Sequence, residues 1–162
     1  MNNTEMQTAE FADIESTLAE YGTYASVTRG ASMRPLFRTH RDMVILAKPT
    51  GMLSKYDVAL YKVGSMYVLH RVVGIDKTAG VYLVRGDNTY ALERVPFDAV
   101  IARLIAFNRK GKRYDVTDKS YLFYSKFWVA IYPIRFLFKK IEGLLRRIYR
   151  FFFKKKSNDT QK

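Results

Sequence analysis

Three patterns of apolar positions succeed one another along the chain. Over residues 5 to 21, Phe11, Ile14, Leu18 and Tyr21 recur at helical spacing. This predicts a short amphipathic helix, with Thr4 and Gln7 as a capping box and Gly22 as the stop. From about 23 to 116 the period changes to two, or to short continuous apolar runs: TYASVT, DMVILA, DVALYK, MYVLHRVVGI, VYLVRG, AVIARLIAF and KRYDV. Turn formers separate them at Lys48-Pro49-Thr50-Gly51, Gly64-Ser65, Thr78-Ala79-Gly80 and Gly86-Asp87-Asn88. Short strands punctuated in this way predict an antiparallel β-domain.

Beyond residue 119 the period returns to that of a helix. Phe127, Ile131, Ile134, Phe138, Ile141, Leu145, Ile148 and Phe152 fall within about 100° of one another on a helical wheel. Lys139, Lys140, Arg146, Arg147, Arg150 and Lys154 take the opposite side. The longest uncharged run, Phe127 to Ile134, has eight residues, against the roughly 18 that a membrane span needs. The pattern predicts one interfacial helix, kinked at Pro133, lying on an anionic membrane with Phe127, Trp128, Ile131, Phe138 and Leu145 in the headgroup boundary and Lys139 and Arg146 toward phosphate. Two other readings of the stripe stay open: docking on the β-domain as core, and a C-terminal span with Lys126 and Arg135 snorkelling.

The expected organisation is a helix over 1–22, a β-domain over 23–116, a basic aromatic helix over 120–156 and a disordered tail over 157–162. A chain of 162 residues, 48% of them hydrophobic, has room for one sizeable core. Its net charge of +13 is unevenly placed: residues 126 to 162 carry 11 Lys/Arg against Glu142 and Asp159, leaving 17 against 13 elsewhere. The excess sits in the tail, which argues against a folded domain that coats nucleic acid and for an anionic surface as partner of the last helix. Cysteine is absent, which removes disulfides, thiolate metal sites and cysteine nucleophiles. No metal or other cofactor is expected. The N-terminus has no basic region followed by an apolar run, so the expected location is the cytoplasmic side of a membrane, peripherally bound, with an integral C-terminal span as the alternative.

Candidate chemistry lies in the β-region. Ser32, in GASMRP, is by itself an ordinary turn residue. A nucleophilic serine needs a base, and that base needs an orienting partner. Of the two histidines, His40 lies in the polar turn FRTHRD, beside Arg38 and Arg41, as a solvated loop residue. His70 lies mid-strand in MYVLHRVVGI, where alternation puts it on one face with Val68 and Val72, and Leu69, Arg71 and Val73 on the other. A histidine flanked by valines needs a hydrogen-bond partner whether it is structural or catalytic. Asp87, in the RGDN turn that ends the next strand, is the candidate for that partner.

In order and setting, GASMRP, VLHRVVG and VRGDN resemble the signature boxes of the type I signal peptidase superfamily, over residues 23 to about 107. Bacterial members carry lysine where His70 stands, so the chain is more similar to the branch containing the endoplasmic-reticulum signal peptidases, and more distantly to LexA-like peptidases. The resemblance implies a coiled antiparallel β-fold and a serine endopeptidase that removes a leader or signal segment from a precursor. Ser32 is then the nucleophile, His70 the base and Asp87 its orienting acid. The oxyanion would be held by backbone N–H groups of Ser32 and Met33, Gly30 standing where some relatives have a hydroxyl residue. Met33 and Pro35 would border a groove for an extended peptide with small residues near the scissile bond. The alternative is a non-catalytic, membrane-tethered peptide-binding module of the same fold.

Overall fold

The computed structural model describes residues 14–156. Helix α1, described from residue 14 to 21, buries Ile14 and Leu18 and leaves Tyr21 69% exposed, so the expected stripe ends one turn early. Gly22 stops it at φ +72°, its N–H donating to the Leu18 carbonyl at 3.1 Å, a left-handed C-terminal residue of the kind glycine adopts without strain. Thr4, Gln7 and Phe11 lie outside the described residues.

Eight strands follow, mainly where alternation places them. They are β1 (Thr23–Val27), β2 (Met43–Ala47), β3 (Val58–Val63), β4 (Met66–Asp76), β5 (Val81–Arg85), β6 (Glu93–Pro96), β7 (Val100–Arg109) and β8 (Lys112–Asp115). All pairings are antiparallel, in the order β1-β2-β7-β3-β4-β5-β6, with β8 also on β7. Strand β6 is the addition to the expected set. It is short, lies at the sheet edge and ends in Pro96, which weakens its strand signal.

Register irregularities at Ile45/Leu46, Leu60/Tyr61 and Val72/Gly74 interrupt the ladders; such bulges bend and twist a sheet. The two faces of the sheet carry separate cores. One gathers Leu18, Phe37, Leu46, Leu60, Leu104 and Phe107; the other gathers Leu53, Tyr61, Val72, Tyr82, Val84 and Val95. Alternation along β4 holds as expected, with Val68 and Val72 in the second core and Leu69 against the first.

The C-terminal region is two helices rather than one kinked helix. Helix α2 (Lys119–Ala130) and helix α3 (Tyr132–Lys156) are separated at Ile131. Pro133 is the second residue of α3, where the missing N–H costs nothing because first-turn amides have no intrahelical acceptor. The chain divides into two compact units, residues 1–129 and 130–162. In the first, α2 buries Tyr121 and Ser125 while Phe123 and Phe127 stack on its outer side, with ring centroids 6.0 Å apart. In the second, α3 exposes Ile134, Leu137, Phe138, Ile141, Leu144 and Leu145. The side chains of Ile148, Arg150, Phe152 and Lys154, and residues 157–162, lie outside the described set. No described helix is long and apolar enough to cross a membrane.

Candidate active site

Two adjacent residues of β4, His70 and Arg71, point to opposite faces of the sheet and organise two buried polar clusters. The β3–β4 hairpin turns through Gly64-Ser65 and sets Ala59 opposite His70. Tyr61, two residues along β3, then lies diagonally across from His70 on the same face. Its hydroxyl lies 2.9 Å from His70 Nδ1 and donates to Glu93 Oε2 at 2.6 Å, while Glu93 Oε1 is 3.2 Å from the same nitrogen. The tyrosine has one proton, and it is directed at Glu93. Its oxygen is therefore the acceptor toward His70, which makes Nδ1 the protonated nitrogen and leaves the lone pair on Nε2.

Nε2 and the Ser32 carbonyl meet across a narrow gap at Gly86 that has no room for a side chain, and among the described residues no hydrogen bond joins Nε2 to the Ser32 hydroxyl. A Cβ there would lie 3.0 Å from Nε2 and 2.7 Å from the Ser32 carbonyl oxygen. That carbonyl accepts from the Asn88 N–H at 2.7 Å, and Asn88 Nδ2 reaches the Ala31 carbonyl at 3.3 Å. Gly86 is held by Thr89, whose Oγ1 accepts from the Gly86 N–H at 3.0 Å and whose N–H returns to the Gly86 carbonyl at 3.1 Å. The RGDNT segment thus serves as a brace, tying the Ser32 turn against the His70 ring.

Burial pulls the pKa of His70 below its ordinary 6.5, and the nearby carboxylates of Glu93 and Asp87 pull it back up without restoring it. The ring is neutral at pH 7, as a proton acceptor must be. Burial and the Glu93 carboxylate push the Tyr61 hydroxyl well above its ordinary range, so it stays protonated.

The second cluster engages the carboxylate of Asp87. Its carboxylate is bound by Arg71, Nε to Oδ1 at 2.8 Å and Nη2 to Oδ2 at 2.9 Å, and accepts from the Tyr124 hydroxyl at 2.9 Å. Arg71, 0% exposed, uses Nη1 on the Tyr56 carbonyl and the Ser125 hydroxyl. Burial alone would favour a neutral guanidinium, but the Asp87 charge outweighs it and holds the pKa above the ordinary value. Asp87 follows Gly86 on the Arg71 face of the sheet, where a fully buried guanidinium claims both oxygens. The carboxylate hydrogen-bonded around His70 Nδ1 is Glu93, and the charge of Asp87 also acts on the ring.

Trp128 also takes a different place. It is half-buried, stacked on Tyr124 with centroids 5.7 Å apart, and donates Nε1–H to the Asp87 carbonyl at 2.9 Å. Tyr121, Tyr124, Ser125 and Trp128 form the docking face of α2, whereas the apolar stripe predicts Trp128 in the headgroup boundary. Of the other expected surface residues, Phe127 is exposed on α2, Ile131 is half-buried, and Lys139 and Arg146 are exposed on α3. His40 is exposed, as its polar turn predicts.

Ser32 is half-buried and Met33 buried, and both line an apolar pocket; Pro35 is exposed and not among its lining residues. Sequence reasoning missed Glu93 and Tyr61. The two-residue Gly64-Ser65 turn fixes the β3–β4 register and was a usable signal for Tyr61. Nothing short of the full strand order brings Glu93 to His70. Among the described residues no group of His, Asp and Glu side chains is arranged to hold a metal ion. Compared with models of protein families and with curated proteins, the chain matches none.

Proposed function

We propose that the chain is a serine endopeptidase of the signal-peptidase-like class, acting on a leader or signal segment of a peptide or protein precursor. The observation that carries this reading is the ring of His70: Nδ1 is engaged by Tyr61 and Glu93, while Nε2 and the Ser32 main chain border the same gap at Gly86. A neutral imidazole held through Nδ1, with Nε2 beside the serine turn, meets the requirement for a general base once the Ser32 hydroxyl comes within hydrogen-bond reach of Nε2. In the reaction, His70 Nε2 takes the proton of Ser32 Oγ as that oxygen attacks the scissile carbonyl. The main-chain N–H groups of Ser32 and Met33 receive the oxyanion. His70 returns the proton to the leaving amine, and water then hydrolyses the acyl-serine by the same route. Tyr61 and Glu93 hold the ring's tautomer, a role the family resemblance gives to Asp87.

The exposed apolar and cationic faces of α3 support a peripheral place on an anionic membrane surface, on its cytoplasmic side. Lys139, Lys140, Arg146 and Arg147 are all exposed, and Phe138 is 69% exposed. The full chain should co-sediment with vesicles containing phosphatidylserine and far less with phosphatidylcholine alone. Lys139→Glu with Arg146→Glu should lower that binding; equal binding to both vesicles would remove the membrane from the proposal.

The activity is tested by incubating the full chain with a diverse mixture of unstructured peptides and reading products by mass spectrometry. Cleavage is expected, and it should vanish in Ser32→Ala. Peptide binding without cleavage would favour a non-catalytic binding module, and cleavage that survives Ser32→Ala would remove Ser32 from the chemistry.

A further inference from the structure

Beside Ser32 lies an apolar pocket of about 290 Å³. Ile14 of α1, Val44 and Leu46 of β2, Leu60 of β3 and Leu69 of β4 contribute its apolar lining, and Arg29 adds a cation at its border. A cavity of about 150 Å³ lined in this way takes a benzene ring. The space beside Ser32 is nearly twice that, so alanine-sized side chains would leave most of it unfilled.

Strand β1 stands at one edge of the sheet. The Thr28 N–H, just past its end, turns inward to the Asp42 carbonyl at 2.9 Å. With a period of two, the main-chain groups of Ala25 and Val27 then face away from β2, toward where an extended peptide would add. The same strand supplies Tyr24 and Ser26 to the pocket, and the chain runs on from it into the Ser32 turn. A peptide added here alternates its side chains, so the residues one and three positions before the scissile bond point the same way.

We propose that this pocket is the specificity pocket of the site, and that the substrates are peptides with a large aliphatic or aromatic side chain one or three positions before the scissile bond. This rests on Ser32 being the nucleophile, as proposed above, and departs from the small residues that the family resemblance implies. An apolar pocket gains about tenfold or more in kcat/KM for each methylene it encloses.

The test uses the full chain and internally quenched peptides in which those two positions vary independently among Ala, Leu, Phe and Asp. Leu or Phe in one of them should raise kcat/KM at least tenfold over Ala. Ser26→Phe, which fills the pocket from β1, should bring the Leu-to-Ala ratio toward one. Should that variant not fold, the wild-type preferences alone decide. Ala peptides cleaved as fast as Leu and Phe peptides, with the activity still lost in Ser32→Ala, would overturn the pocket's assignment and leave the peptidase reading standing. Absence of Ser32-dependent cleavage across the whole set would contradict that reading, and the assignment with it.

Discussion

His70 and Arg71 are neighbours on one strand, both buried and both paired with acids, yet their surroundings differ in one respect. Arg71 has an acceptor for each of its three nitrogens in Asp87, Tyr56 and Ser125, and the cluster continues through Tyr124 and Trp128 into α2. His70 has partners on Nδ1, and its Nε2 faces a gap that a single methyl group would close. A saturated cluster holds structure together. A cluster with one basic nitrogen left facing an accessible turn is equipped to move a proton. On the proposed function, Asp87 belongs to the architecture and Glu93 to the candidate chemistry, although both are carboxylates near the same ring.

The largest expected effect falls on the saturated side. Arg71→Met leaves the Asp87 carboxylate buried without its cation, and breaking such a pair costs about 3–5 kcal/mol. Denaturant unfolding should show that loss. A change under about 1 kcal/mol would mean that the cluster is not what fastens α2, and the comparison would break.

Gly86→Ala probes the gap itself. Its methyl would sit 2.7 Å from the Ser32 carbonyl oxygen and 3.0 Å from His70 Nε2, so the serine turn or the ring must move. A displacement near 1 Å at a reacting pair lowers the rate roughly 100-fold, and kcat/KM should fall by that order while the protein stays folded. Unchanged kinetics would show that the gap is not part of the site.

The smallest effect sharpens the assignment of the acid. Burial sets the His70 pKa below 6.5, against the opposing carboxylates. The acid limb of kcat/KM, where His70 gains a proton and stops accepting one, should therefore lie below pH 6.5. Glu93→Gln removes a charge that favours the protonated ring, so the limb should move to still lower pH, with a lower plateau. A limb that stays in place in Glu93→Gln would return the orienting role to another group.

Much of this was legible in the chain. Alternation along MYVLHRVVGI places His70 and Arg71 on opposite faces, and turn chemistry locates Ser32 and the RGDN brace. The partner of His70 was not legible, because proximity in sequence order favours Asp87, which follows β5 directly. Which face Asp87 joins is decided by the buried guanidinium next door, and Glu93 arrives only through β6, a four-residue edge strand ending in proline. The helical period after residue 119 likewise gave one stripe where packing makes two helices. Tyr121, Tyr124, Ser125 and Trp128 hold α2 to the sheet through polar atoms that a hydrophobic count does not register.

The central claim, that Ser32 and His70 act as one unit, is tested most directly by a double-mutant cycle on peptide cleavage. A nucleophile and its base are strongly non-additive, since losing either removes the same step. Ser32→Ala, His70→Ala and the double variant, each verified as folded, should all fall by several orders of magnitude to one common residual rate. Losses that instead multiply, or a His70→Ala variant that keeps most of its activity, would contradict the account.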